Sequence, residues 1–490
     1  MTSHRLFLLA IVFALAAPAR ADVPVPTIEG PVTGGSGKPF IAATSFDLAT
    51  VGYVEEEFFI SGTASAYVNS GSLGADGKWT VAPGETAAYK TRILVYRPAK
   101  AKRFDGTVVV EWLNVSGGVD AAPDWINAHV ELIRNGFAWV GVSAQIVGVE
   151  GGAGLVIVPV SLPLKTVDPA RYGSLVHPGD SFSYDIFSQA GAALRHPEPS
   201  APDPLGGLKA RRFIAAGESQ SAFRMVNYID AIHPIAHLYD GYFVHSRSSL
   251  SLAPLSEAPQ PAISAPPSTL LRDDLDVPVL DLQTESDVTF LGSFAVRQDD
   301  THRFRLWEVA GTSHADTYTT TDGMTDLGHD PAVVGPDITS SAAGGLISCG
   351  RPFNSGPQHF VVSAAFAALD HWVRHGTPPK TMPRLDVNPG PPVTIVTDAH
   401  GNAVGGIRTP QVDVPIATFT GHQDGSILCQ LFGTTTLFDR ATLAMLYRSH
   451  GAFVSAYARA AKRAVKAGAL LKPDARLIVR WAAGSDIGKR

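Results

Sequence analysis

Positive charge, cysteine and long apolar runs are all in short supply. Lysine and arginine number 39 against 45 aspartates and glutamates, a formal balance of −6 at pH 7 that grows more negative if a leader carries off Arg5 and Arg20. That sign excludes a general binder of the nucleic-acid phosphate backbone, so no nucleic-acid partner is expected. Charged residues make up only 17%, beside 45% apolar and 9% aromatic. Such a chain buries a substantial core and is neither disordered nor a coiled coil. Beyond Ala21 no segment supplies the roughly 20 consecutive apolar residues of a membrane span, so no stable membrane insertion is expected. Self-similarity at a period of about 20 to 50 residues is absent, which removes solenoids and propellers. His-Glu-x-x-His, Gly-x-Gly-x-x-Gly and Walker-type loops are missing as well. His233 and His237 are four apart, but Pro234 between them reads as an interruption of a helical face, so neither metal nor cofactor is expected.

What is present begins with a leader. Arg5, the apolar run Leu6 to Ala17, then Pro18 and Ala19-Arg20-Ala21 ahead of Asp22 read as a secretory signal peptide over 1–21. The mature protein is therefore expected to be soluble and exported, periplasmic or secreted. Cys349 and Cys429 are the only 2 cysteines. In an oxidising compartment they are expected to pair, closing a loop of about 80 residues and stabilising by about 4 kcal/mol in the chain-entropy model. Two separate core thiols are the alternative.

Residues 22–490 read as one decorated α/β domain, although two or three domains would fit the length. Residues 22–100 hold N-terminal strands, with extended patterns over 53–97 placed at a sheet edge. A catalytic core follows over 101–383. Its short apolar runs, Thr107 to Trp112, Ala138 to Val142, Arg212 to Ala216, Gly241 to Val244, Val277 to Leu282 and Phe304 to Val309, suit strands buried on both faces of a mostly parallel sheet with helices on both sides. Helices are expected over Pro123 to Arg134 and Pro357 to His375. Residues 145–180 and 247–276 are long, Pro-rich insertions that read as lids or binding loops. A C-terminal extension over 384–490 has short strands, then helix from Leu437, with Phe453, Tyr457, Ala460 and Ala464 on one face. The 47 glycines and 36 prolines fit an enzyme whose site is assembled from loops on a rigid sheet.

The sharpest local signal is Arg212 to Phe223, where an apolar strand runs into Gly217-Glu218-Ser219-Gln220-Ser221 and then into a helix. This is the sequence form of a nucleophile elbow, whose tight strand-to-helix packing demands small residues two before and two after the serine. Ser221 stands where glycine is usual. A serine hydroxyl is a weak nucleophile and needs a histidine base, oriented by a carboxylate. The chain offers both just past later strand ends: Asp287 as the acid, with Glu285 as its rival, and His314 as the base. Asp316 reads as a helix cap. The oxyanion donors are expected to be the Gln220 N–H and a group at Asn114, in the loop Trp112 to Gly118, although the glycines there could equally make only a turn. His245 and Arg247 either bind a polar or anionic substrate group or are buried and paired.

These stretches, with Gly52 to Phe58, Val110 to Asn114, Asp240 to Arg247, Gly311 to His314, Gly356 to Gln358 and Cys429 to Gly433, resemble a family of secreted bacterial α/β-hydrolase-domain proteins across nearly the whole mature chain. The resemblance implies an α/β-hydrolase fold and ester-hydrolase chemistry, with Ser219 matching the family's serine. It does not choose between Asp287 and Glu285. The resulting expectation is an exported serine carboxylic-ester hydrolase acting on a small-molecule or polymeric ester through an acyl-enzyme. Amidase, lactonase or acyltransferase chemistry on the same residues, or a non-catalytic envelope or ligand-binding protein, are the competing readings. Oligomeric state is not legible.

Overall fold

The apolar runs pair, among the described residues, into one sheet of 9 strands. The computed structural model describes residues 23–156, 161–250, 252–343 and 347–489, so the expected leader lies outside it. The strands are β1 (Thr27–Glu29), β2 (Tyr53–Asn69), β3 (Val81–Pro98), β4 (Thr107–Trp112), β5 (Ala138–Val142), β6 (Arg212–Glu218), β7 (Gly241–His245), β8 (Val279–Gln283) and β9 (Phe304–Glu308). Their spatial order is β1-β2-β3-β5-β4-β6-β7-β8-β9. From β5 to β9 all neighbours are parallel. The long β2–β3 hairpin, with β1, forms the antiparallel edge.

The principal helices are α1 (Pro123–Asn135), α2 (Ser183–Arg195), α3 (Gln220–Asn227), α4 (Glu285–Thr289), α5 (Gln358–His375), α6 (His450–Ala467) and α7 (Lys472–Gly484). Alternation along a strand explains why two layers of them are needed. In β4, Val108, Val110 and Trp112 join a core with Phe187 of α2 and Met225 of α3. Val109 faces the other way and packs with Trp125 and Leu132 of α1 and Phe366 and Trp372 of α5. This is the mostly parallel α/β sandwich read from the sequence.

Helix α1 shows how local chemistry sets its ends. Pro123 occupies the first turn, where a missing N–H is harmless, and the buried Glu111 carboxylate accepts the Asp124 and Trp125 N–H groups at 3.0 Å each. Gly136 ends the helix at φ 75°, where a β-carbon would collide with the Arg103 carbonyl.

The two insertions, expected as lids or binding loops, each carry their own buried anchors. In 145–180, Arg171 Nε donates to Glu57 Oε2 at 2.5 Å and Tyr172 OH to Glu57 Oε1 at 2.9 Å. Arg92 bridges that glutamate to Asp120, at 2.6 Å. Stripping such charges from water is expensive unless every one is paired, so the network fixes this segment against β2. In 247–276, Leu255 and Leu271 are buried, and the Arg272 N–H donates to Asp230 Oδ1 at 3.0 Å.

The helical region expected from Leu437 divides into a short helix, Arg440–Leu446, and the pair α6–α7. The expected stripe Phe453, Tyr457, Ala460 and Ala464 is buried against Leu477 and Ile478 of α7. A short helix at Ile427–Phe432 was not anticipated in a stretch read as strands and turns. Among the described residues no helix is long and apolar enough to cross a membrane.

Cys349 and Cys429 form a disulfide, with Cα atoms 5.6 Å apart across a sequence separation of 80. Replacing both by serine is expected to lower unfolding stability in urea by about 2–5 kcal/mol. An unchanged midpoint and slope would show that the bond contributes nothing.

Candidate active site

Strand β6 carries the chain into Ser219, and α3 begins at the next residue. Ser219 has φ 58° and ψ −120°, a conformation that strains a residue with a side chain by about 1–3 kcal/mol. Two features hold it there. Its N–H donates to the His245 carbonyl at the end of β7, at 2.9 Å. Helix α3 packs so close behind that a β-carbon on Gly217 would lie 2.9 Å from the Ser221 carbonyl oxygen and 3.2 Å from the Ser221 β-carbon. The small residues of the motif are therefore a steric requirement, and Ser221 satisfies it in place of glycine.

The carboxyl ends of β8 and β9 supply two more groups. His314 Nε2 is 2.7 Å from Ser219 Oγ, and His314 Nδ1 is 2.7 Å from Asp287 Oδ1. Asp287 sits in the first turn of α4 and completes a capping box with Thr284. Its Oδ2 accepts from the Thr284 N–H and Oγ1, each at 2.7 Å, and from Ser246 Oγ at 2.8 Å, leaving Oδ1 for the imidazole. Burial alone would push the Asp287 carboxyl up, but the adjacent imidazole and these donors outweigh it and hold it below the usual range. Burial likewise acts to lower His314; Asp287 first and Glu218 second reverse the effect and raise it. A histidine so placed can take the hydroxyl proton at Nε2 while Nδ1–H remains on the carboxylate.

Glu285 lies elsewhere. Its two oxygens accept the N–H groups of Gly311 at 2.6 Å and Gly421 at 2.9 Å, so it braces the loop that carries His314 without touching the ring. Burial, opposed by those two donors, pushes its carboxyl up to about 7. Asp316 caps Thr317–Thr320 through the Thr319 N–H at 2.8 Å.

Asn114 does not have the freedom an oxyanion donor needs. Its backbone N–H goes to the Ala121 carbonyl at 2.9 Å, and its side-chain amide donates to the carbonyl and carboxylate of Glu218, both at 3.1 Å. The physical reason is the elbow itself, whose last strand residue is buried and needs donors. Gln220 opens α3, where the first N–H groups have no partner inside the helix.

His245 and Arg247 are both buried; His245 is paired, whereas Arg247 keeps two guanidinium nitrogens, Nε and Nη1, without a hydrogen-bond partner among the described residues. His245 Nδ1 meets Asp124 Oδ1 at 2.8 Å and its Nε2 meets the Gln358 amide at 3.1 Å. Burial is the largest influence on both partners, driving His245 down and Asp124 up. Arg247 is fully enclosed and donates to the Thr269 carbonyl.

Glu218 is the residue that sequence reasoning passed over. Its Oε1 lies 3.5 Å from His314 Nε2, on the side of the ring that faces Ser219. Burial raises its carboxyl to about 7, against the pull of His314 and then His245. Its position between Gly217 and Ser219 was the available signal. Ser246, with φ 60°, and Thr284 were missed for a different reason, since only the fold brings them to Asp287. A cavity of about 670 Å³, lined by Asp322, Asp326, His329, Asp330, Asp337 and Trp481 among others, includes none of these residues, so the site is defined by its chemistry and not by cavity size.

Sheet order, strained serine and histidine at successive strand ends define an α/β hydrolase architecture. The chain matches the alpha/beta hydrolase domain family over residues 28–480 and belongs to that family. No functionally curated protein matches the sequence. Among solved structures the chain is similar to an esterase from Rhizomucor miehei (12% identity, 56% of this chain and 85% of that one, TM-score 0.28). It is similar also to a thermostable esterase from Pseudomonas putida (12%, 54% and 75%, TM-score 0.28). A third is a dienelactone hydrolase from Anabaena variabilis (12%, 50% and 86%, TM-score 0.25).

Glu218→Gln removes a carboxyl that, in its ionised form, helps hold a proton on His314. The base must be neutral to act, so the rate of Ser219 modification by a fluorophosphonate rises as pH passes the His314 value. In the variant that rise is expected at lower pH, by up to about one unit. An unmoved rise, or one at higher pH, would contradict the assigned influence.

Proposed function

We propose that this protein is an exported serine carboxylic-ester hydrolase. The observation that carries the reading is the unbroken chain from Ser219 Oγ through His314 to Asp287, two contacts of 2.7 Å each, with the serine in a strained elbow. Ser219 Oγ attacks the acyl carbon and passes its proton to His314 Nε2. Asp287 holds the ring and stabilises the imidazolium, while the Gln220 N–H faces the developing oxyanion. Collapse of the tetrahedral intermediate breaks the ester C–O bond, and His314 returns the proton to the leaving alcohol. Water then attacks the acyl-Ser219 ester with His314 again as base, releasing the acid and restoring the serine.

A small-molecule ester, or the exposed ester of a polymer, is the substrate class this chemistry would take. Export is supported by the leader-like sequence over 1–21 and by the Cys349–Cys429 disulfide, which suits an oxidising compartment. The negative formal charge speaks against a nucleic-acid partner.

Turnover of a p-nitrophenyl acyl ester series tests the proposal. The wild type is expected to show chain-length-dependent hydrolysis. Ser219→Ala and His314→Ala are each expected to abolish nearly all of it, and Asp287→Asn to lower kcat by about 10⁴-fold. Glu285→Gln is expected to lower thermal stability more than kcat. Full turnover in Ser219→Ala or His314→Ala would reject the mechanism, and the absence of turnover together with absent fluorophosphonate labelling would favour a ligand-binding protein.

A further inference from the structure

We propose that His233, His237 and Asp276 bind a divalent transition-metal ion of the zinc class, at a site made of residues the proposed ester hydrolysis does not use. The sequence argued against this pair because Pro234 separates the histidines. In the structure Pro234 lies in the last turn of a helical run that continues from α3 through a π-helical turn, Tyr228–Ile232, into His233–Ala236, and the wider turn before it accommodates the missing N–H. The His237 N–H still reaches the His233 carbonyl at 3.0 Å. His237 adopts φ 48°, a left-handed cap that brings its ring to within 5.2 Å of the His233 ring.

Asp276, at the far end of the 247–276 insertion, completes the group. Its Oδ1 is 2.8 Å from His233 Nε2 and its Oδ2 is 3.6 Å from His237 Nδ1. One donor atom from each residue can be chosen so that all three lie within 4.8 Å of one another. A tetrahedral ion with bonds of about 2.0–2.1 Å needs its donors about 3.3–3.4 Å apart, so small rotations of the outer two side chains close the site. Those two can move: side-chain exposure is 64% for Asp276 and 31% for His237, against 3% for His233.

His233 is the fixed member. Its Nδ1 lies 2.9 Å from the hydroxyl of Tyr242 on β7, and the two rings meet edge to face at 85°. A partner on the second nitrogen sets the tautomer and aims the first nitrogen at an ion, which is how protein metal sites orient histidine ligands. Without an ion, the contact to Asp276 Oδ1 requires the hydrogen on Nε2 and the Tyr242 hydroxyl donates to Nδ1; on binding, the hydroxyl would turn to accept from Nδ1–H and Nε2 would present its lone pair to the ion. Two imidazoles and one carboxylate suit zinc, nickel or copper far better than calcium or magnesium, and the solvent-facing side leaves a fourth position for water. A bound ion would clasp the end of the 247–276 insertion to the core.

The test uses the full mature chain without an affinity tag, stripped with EDTA and titrated with Zn²⁺ alone by calorimetry, with bound metal counted by elemental analysis. One equivalent is expected in the wild type. Tyr242→Phe is expected to weaken binding by roughly 10–100-fold. His237→Ala and Asp276→Asn are expected to weaken it further than that, while their circular dichroism and melting in EDTA stay close to wild type. Absence of Zn²⁺ binding in the wild type overturns the proposal. So does binding that survives both His237→Ala and Asp276→Asn, which would point instead to the His371–His375 pair, whose rings are 4.5 Å apart. A melting temperature that rises with Zn²⁺ in the wild type and not in His237→Ala supports the clasp.

Discussion

A serine held in a left-handed backbone conformation between β6 and α3 is the constraint on which the rest of the site depends. That conformation is unfavourable by itself and persists because its surroundings over-determine it. The strand fixes one side and the helix the other, and the approach between them leaves no room for a β-carbon at Gly217. The neighbouring strand contributes the His245 carbonyl to the Ser219 N–H. Asn114, from the loop after β4, satisfies the buried end of β6 at Glu218. Parallel order across β4, β6, β7, β8 and β9 then brings every loop that matters to the same edge.

Burial sorts the carboxylates around this serine into two groups. Asp287, which faces an imidazole and three donors, is held below its ordinary range despite complete enclosure. Glu285, Asp281 and Asp316 are equally enclosed, and burial, only partly offset by Arg247 at Asp281 and by backbone donors at Glu285 and Asp316, drives them to about 7, 6 and 6. Such raised carboxyls favour the folded state while protonated, and that contribution is lost as pH rises through the folded values. The buried histidines His129, His177 and His245, lowered by burial, act in the opposite direction below their ordinary value. The contrast between Asp287 and Glu285 gives physical grounds for preferring Asp287 as the triad acid.

Much of this was legible in the chain. Unbroken apolar runs at β4 to β9 announced strands covered on both faces, and Gly217, Ser219 and Ser221 announced the elbow, because both signals are local. Asp287 and His314 were legible as residues just past strand ends. The choice between Asp287 and Glu285 was not, since it rests on which side of a short helix turns toward His314. The sequence offers Asn114 as an oxyanion donor and leaves His245 and Arg247 between substrate binding and burial, because a polar residue at a strand end gives no sign of its partners. Those partners, Glu218, Asp124, Gln358 and Thr269, come from distant parts of the chain. Pro234 misled for a related reason: the sequence does not show the π-helical turn, Tyr228–Ile232, through which the helix carries Pro234 on to His237.

The central claim is that Ser219 carries the acyl group during turnover. The most direct measurement is rapid acid quenching during hydrolysis of a slowly deacylated p-nitrophenyl ester, followed by intact-mass and peptide-level mass spectrometry. The expected result is a single acyl adduct on the peptide containing Ser219, absent from Ser219→Ala. Hydrolysis that proceeds with an adduct on a different residue, or continues unchanged in Ser219→Ala, would contradict the account.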